Sequence, residues 1–229
     1  MSKSDLKEQD FRKGIFEALF WWQRSECQYS VELRNAFEKR HEKESVKLFV
    51  ENSFYKFLTD YSIRRNLRGK GVEPVESFIK ECFEENGLMD NLRKKEESVG
   101  DIIDKFVDKI KERDFAKGKK GGKRLTSLVA KTAFLFRPDS VPLYDQLAKQ
   151  ALEEIQGVKI KSFSNFLIYF ESQKFEWDEA IRRLLKEQSQ TMKIFKEFEG
   201  IENREDFFVH RTVDKLLWMT GKSMTKIKP

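Results

Sequence analysis

Two residues in this chain have a type and setting that suit covalent chemistry. Lys131 lies in Ser127-Leu128-Val129-Ala130-Lys131-Thr132-Ala133, and Asp145 follows fourteen residues later in Pro142-Leu143-Tyr144-Asp145. At about 100° per residue, Lys131 sits about 100° from the centre of its helix's apolar stripe, with Ser127, Leu128, Phe134 and Leu135 one turn away in place of charges. Beyond the opening Arg124 it is the only cation of that segment. A lysine in apolar surroundings loses the water that stabilises its ammonium, and the neutral amine is the nucleophile of Schiff-base chemistry. Asp145 stands where a helix begins, so its carboxylate can cap backbone amides and still face a cleft.

A second set suits phosphate. Lys117, Lys119, Lys120, Lys123 and Arg124 are interleaved with Gly118, Gly121 and Gly122, and glycine-rich backbone and lysine side chains both favour bound anions. A solvated loop is the plainer account of the same run. A third set is Arg34-Asn35 with His41, and Arg204 with His210, which resembles the Arg-to-His pattern of small all-α ribonucleases. Other signatures are missing: there is no phosphate-cradling Gly-x-x-x-x-Gly-Lys-Ser/Thr, no Gly-x-Gly-x-x-Gly, no His-Glu-x-x-His and no Gly-x-Ser-x-Gly. Cys27 and Cys82 have no second Cys or His at ligand spacing, and His41 and His210 are the only histidines. We therefore expect no metal cluster and no cofactor.

The elements that must position these residues read as helices throughout, and the expected fold class is all-α. The spacing predicts helices over about Asp5 to Arg24, Val31 to His41 and Ser45 to Asp60. A loop spans 64 to 73. A helix then opens at Pro74 and stops near Gly87, and a charged one spans Val99 to Phe115. The helix Arg124 to Phe136 is apolar around most of its circumference, as only a central, buried helix is. Arg137 to Pro142 carries two prolines and must be an extended connection. Further helices begin near Asp145 and cover Ser162 to Phe175, Asp178 to Phe198 and Glu205 to Met219, with Gly221 closing the last.

The chain has 229 residues, 45 Lys+Arg and 39 Asp+Glu, a formal charge of +6. That length supports one domain, expected as two lobes of about 1–115 and 116–229 with a cleft between them. With 21 Phe and four Trp against four Pro and eleven Gly, disordered and collagen-like classes are excluded. No stretch approaches the roughly 20 apolar residues of a membrane helix, and MSKSDLKEQD lacks the apolar core of a signal peptide. A cytoplasmic protein with no membrane partner is expected. A charge of +6 dispersed over so many ionisable groups does not by itself identify a nucleic-acid partner.

Lys131-Thr132-Ala133 and Asp145, together with the run Arg211-Thr212-Val213-Asp214-Lys215-Leu216-Leu217-Trp218, resemble the helix-hairpin-helix DNA glycosylases, especially compact bacterial proteins with an oxoguanine-glycosylase-like fold. The resemblance covers mainly 123–156 and 207–221. It implies a glycosylase, with or without lyase activity, that flips a damaged or modified base out of DNA, in base-excision repair or in antiviral defence against modified DNA. Lys131 would displace the base and form an imine, and Asp145 would stabilise the positive sugar and assist proton transfer. In that family glycines just before the lysine hold a phosphate; here Gly122 is the nearest, and the Gly118 to Arg124 loop takes that place. Tyr144, Trp21 and Trp22 are candidates to stack on the extruded base or fill its gap.

Two other readings stand beside it: a basic helical adaptor that binds nucleic acid or protein without catalysis, and the Arg/His ribonuclease. Plainer roles exist for each residue. Lys131 can snorkel from a partly buried helix, Asp145 can be a simple cap, Trp21 and Trp22 can be core, and Arg211 and Asp214 can be an intrahelical ion pair.

Overall fold

The computed structural model describes residues 6–63, 67, 69–113, 115, 121–187 and 204–227, with side chains left undescribed at 121–124 and 226–227. The chain is all-α, and no strand or sheet occurs among the described residues. It divides into two compact units, one formed by Met1–Cys27 with Pro138–Pro229 and the other by Gln28–Arg137. Neither break is the 115/116 position at which the sequence reading divided the lobes.

The unit that holds both chain ends is built around its last helix. Its elements are α1 (Glu8–Trp21), a π-helical turn π1 (Trp22–Glu26), α9 (Gln146–Gln156), α10 (Phe163–Glu187) and α11 (Arg204–Ile227). The last helix packs against α9, α1 and α10. Every residue from Phe207 to Leu217 is buried, three turns with no solvent face. Phe11, Ile15, Ala18 and Leu19 of α1 with Trp22 of π1 supply one side of this core, and Phe163, Phe166, Phe170 and Trp177 the α10 side. Asp145 caps α9 and Gly157 ends it in the left-handed conformation at φ +65°, the usual cap pair.

The other unit comprises α2 (Cys27–Glu38, apart from its first residue), α3 (Lys43–Phe49), a second π-turn π2 (Val50–Phe54), α4 (Tyr55–Asp60), α5 (Glu73–Phe83), α6 (Leu88–Lys94), α7 (Val99–Glu112) and α8 (Gly121–Phe136). Its core is a chain of phenylalanines: Phe54 against Phe57 at 5.9 Å and Phe78 at 6.3 Å, Phe37 against Phe83 at 5.4 Å and Phe136 at 5.3 Å. The helix α8 packs on α7 and α6. Ser30 Oγ donates to the Leu135 carbonyl at 2.6 Å, a buried tie from α2 to the end of α8. Ser98 caps α7 through the Asp101 amide at 3.1 Å.

Several boundaries differ from the periodicity. No connection separates Arg24 from Val31: helical backbone runs through π1 into α2, because no Gly or Pro interrupts it. The short helix α6 follows Gly87 at once. The expected break between Phe175 and Asp178 is absent from α10, which runs to Glu187. The helix expected from Arg124 begins at Gly121. The glycine expected to close α11 lies inside it: a Cβ on Gly221 would meet the Leu147 carbonyl oxygen, with the carbonyl carbon 2.6 Å away. Gly221 is therefore the point at which α11 and α9 touch through their backbones, and backbone cannot rotate aside. Gly221→Ala should lower the stability of the protein by about 1–3 kcal/mol, the usual range for overpacking, measured as a lowered urea midpoint at unchanged slope. An unchanged midpoint would refute the close approach.

Candidate functional site

Lys131 is placed by the most buried helix of its unit. Of the twelve positions from Leu125 to Phe136, only Thr126 and Ser127 are partly exposed. Lys131 is 5 % exposed, and its Nζ stands 5.5 Å from the centre of the Tyr61 ring, within cation–π reach. Side chains on a helix lean toward its N-terminus, so the lysine stem lies over the turn that carries Ser127. Its neighbour Thr132 donates back to the Leu128 carbonyl at 2.9 Å and is satisfied within the helix. Tyr61, at the end of α4, rests on Phe57 with centroids 4.7 Å apart. The adjacent Asp60 accepts from the Tyr29 hydroxyl at 2.9 Å. Burial, then that carboxylate, drive the Tyr29 hydroxyl well above the ordinary tyrosine range.

Asp145 belongs to the other unit, where its Oδ1 accepts from the Ala148 amide at 2.8 Å and starts α9. The plain cap role is therefore present, and it fixes the direction of the carboxylate. Close by is a cluster of buried charge for which the sequence offered only an intrahelical pair. The Nη2 of Arg211, itself 0 % exposed, donates to both carboxylate oxygens of Glu26 at 2.6 Å. Its Nη1 donates to Asp214 Oδ2, three residues on. Lys215 completes the group, with Nζ 3.9 Å from Glu26 Oε1 and 5.0 Å from the centre of the Trp21 indole.

Two carboxylates and two cations thus meet inside one unit, a formally neutral set. Burial pushes the Asp214 carboxyl up to about 7 against the pull of Arg211 and Lys215, and the carboxylates of Asp145 and Glu26 push the same way. Burial also lowers Lys215 from the ordinary lysine value, with Arg211 adding to the effect. The motif 211–218 and Asp145 are therefore brought together by the packing of α11 on α9, while Lys131 stands on the other unit.

The remaining candidates divide. Trp22 is 1 % exposed and packs edge-on to Phe207 at 4.6 Å, as a core residue. Trp21 is half-buried and donates Nε1 to Glu17 at 3.1 Å. Tyr144 is half-buried too, edge-on to Phe166 at 4.9 Å. Lys117, Lys119 and Lys120 lie outside the described residues; Lys123 and Arg124 fall in the first turn of α8, with their side chains outside them.

Of the ribonuclease candidates, Arg204 is exposed at the start of α11. His210, six residues on and so about 240° around the helix, is 1 % exposed against the Phe170 ring at 4.7 Å. Burial, then Lys174 and Arg211, push its imidazole down to about 3. Arg34 donates Nε to the Ser30 carbonyl at 3.3 Å, and His41 is exposed in the turn after α2.

An open groove of about 660 Å³ runs along α10, but five carboxylates, Glu171 and Asp206 among them, face it against Lys174 and Arg182. The lining is net negative, unlike a surface built for phosphate. Among the described residues no group of three or more His, Cys, Asp or Glu could hold a metal, and no helix is long and apolar enough to cross a membrane. Comparison of the chain with family models, with curated proteins and with solved structures finds no match.

Breaking a buried ion pair leaves an uncompensated charge, so Glu26→Leu should destabilise the protein by about 3–5 kcal/mol in urea unfolding. A loss below 1 kcal/mol would show that water reaches Arg211.

The pH dependence has two opposing parts. The unfolded chain protonates His210 below its ordinary 6.5 while the folded chain refuses the proton down to about 3. That stabilisation is lost as pH falls below 6.5. Asp214 runs the other way, its folded value of about 7 lying above the ordinary 3.8, so stability rises as pH falls from 7 toward 3.8. Between pH 7 and 5, His210→Leu should therefore gain about 2 kcal/mol relative to the parent, and Asp214→Asn should lose a similar amount. Thermal unfolding at the two pH values checks both signs.

Proposed function

We propose that this protein is a DNA glycosylase with lyase chemistry, removing a damaged or modified base through the Lys131 amine. The observation that carries the reading is the position of Lys131, 5 % exposed in the buried stretch of α8 beside an aromatic ring. Lysine is among the side chains least often buried, and its amine is the nucleophile that imine chemistry requires.

In this reading DNA presents an extruded nucleotide. The Lys131 Nζ lone pair adds to C1′, the C1′–N glycosidic bond breaks, and the base leaves with the bonding pair and takes up a proton. Nζ then loses one proton to water, its lone pair expels O4′ with the C1′–O4′ bonding pair, O4′ takes up a proton, and a protonated imine joins Nζ to C1′. The resemblance gives Asp145 the roles of stabilising positive charge on the sugar as the glycosidic bond breaks and of assisting proton transfer. Water then hydrolyses the imine and returns the amine with an abasic site; alternatively β-elimination of the 3′ phosphate cuts the strand first. Support for Asp145 comes from its cap bond to the Ala148 amide, which orients the carboxylate. Phosphate contacts fall to Lys117, Lys119, Lys120, Lys123 and Arg124, and the half-buried Tyr144 and Trp21 remain the stacking candidates.

Borohydride trapping on duplexes bearing abasic sites or a panel of modified bases tests the reading. The parent should give a covalent adduct, and Lys131→Met, of similar volume and checked for folding by circular dichroism, should give none. Asp145→Asn should slow base release by a factor of 100 or more, in line with general acid–base and electrostatic contributions. An adduct that survives Lys131→Met overturns the assignment of the nucleophile. Neither adduct nor base release by the parent across the panel would return the protein to the class of non-catalytic binders.

A further inference from the structure

The first helix exposes aromatic surface that the core does not use. Phe16 and Phe20, one turn apart on α1, are 66 % and 43 % exposed. Their rings are near-parallel, at 16°, with centroids 6.4 Å apart. The half-buried Trp21 stands edge-on to Phe20 at 5.9 Å. The exposed guanidinium of Arg24 lies over both, 5.7 Å from the Phe20 centre and 5.4 Å from that of Trp21. Lys13, one turn before Phe16, is exposed on the same side of the helix. Glu17 flanks the ridge and accepts the Trp21 Nε1 proton at 3.1 Å.

We propose that this face of α1 binds the unpaired bases of single-stranded or locally opened DNA, which stack on Phe16 and Phe20 while Arg24 and Lys13 meet the phosphates. The inference rests on the reading that DNA is the partner, and not on the chemistry at Lys131. Three observations favour it. Solvent-facing aromatic rings offer planar faces to planar ligands, and every base has a π-face. The cations nearest the rings match a polyanion. The exposed area is small: two rings of roughly 200 Å² each at these exposures offer roughly 220 Å², far below the roughly 800 Å² per partner of a stable protein interface. A row of bases needs no more.

The test is fluorescence anisotropy with a labelled single-stranded deoxythymidine 20-mer and a fully paired 20-mer duplex, on the parent, Phe16→Ala/Phe20→Ala and Arg24→Gln. These positions are exposed, so the variants should keep the circular dichroism spectrum of the parent. The double substitution should weaken single-strand binding at least tenfold and change duplex binding less than twofold. Arg24→Gln should flatten the slope of log affinity against log salt by about 0.7, the value for one phosphate on a single strand. Unchanged single-strand affinity in the double variant overturns the inference, as does an equal loss on both DNAs. It is also overturned if the double variant keeps its DNA affinity and loses self-association or binding to anionic phospholipid vesicles, which would make the ridge a contact for a second copy or a membrane. A parent that binds neither DNA overturns this inference and the proposed function together; parent binding that survives the double substitution overturns this one alone.

Discussion

An arginine with no exposed surface has to find its counter-charge inside the protein, and around Arg211 that requirement organises a whole unit. The bidentate clasp of Glu26 holds π1 against α11, and the contact to Asp214 holds the guanidinium in line with its own helix. Lys215 brings the formal sum back to neutrality. The low dielectric that makes each of these contacts strong also makes any unpaired member expensive. The π-turn is part of the same arrangement: Trp22 and Glu26 are both buried at its two ends, one against Phe207 and the other on Arg211. Such turns insert a residue into the helical ladder and re-aim side chains.

Each unit thus has a central helix with ionisable groups in it, handled differently. In α8 one lysine is embedded among apolar neighbours beside Tyr61. In α11 four ionisable residues, His210, Arg211, Asp214 and Lys215, are buried within two turns, three as partners in one network and the fourth kept neutral by desolvation. A network whose charges balance is sufficiently explained as structure. The functional assignment rests instead on Lys131, a buried amine beside the Tyr61 ring.

Local periodicity carried a good part of this. The all-α class followed from apolar spacing at three and four residues, and the burial of Leu125 to Phe136 was legible because apolar residues cover nearly the whole circumference of that helix. The stripe Ile102, Ile103, Phe106, Val107 and Ile110 is buried as its spacing requires. Asp145 was legible as a cap because an aspartate after a proline-bearing connection has few other local uses. Where periodicity misled, the cause was local punctuation overridden by packing: Gly221 looks like a stop, yet it continues the helix because α9 leaves no room for a Cβ, and α10 runs unbroken through Phe175.

By itself, then, the sequence determined the all-α class, the apolar character of 125–136 with its single lysine and the cap at Asp145, all of which depend on residues within a few positions of one another. Tertiary structure alone decided that Arg211 is buried, that Glu26, 185 positions away, is its counter-ion, and that the chain ends share a unit while 28–137 form another. Burial of a charge is a property of the partner it meets, and a partner distant in sequence leaves no period or motif by which to be read.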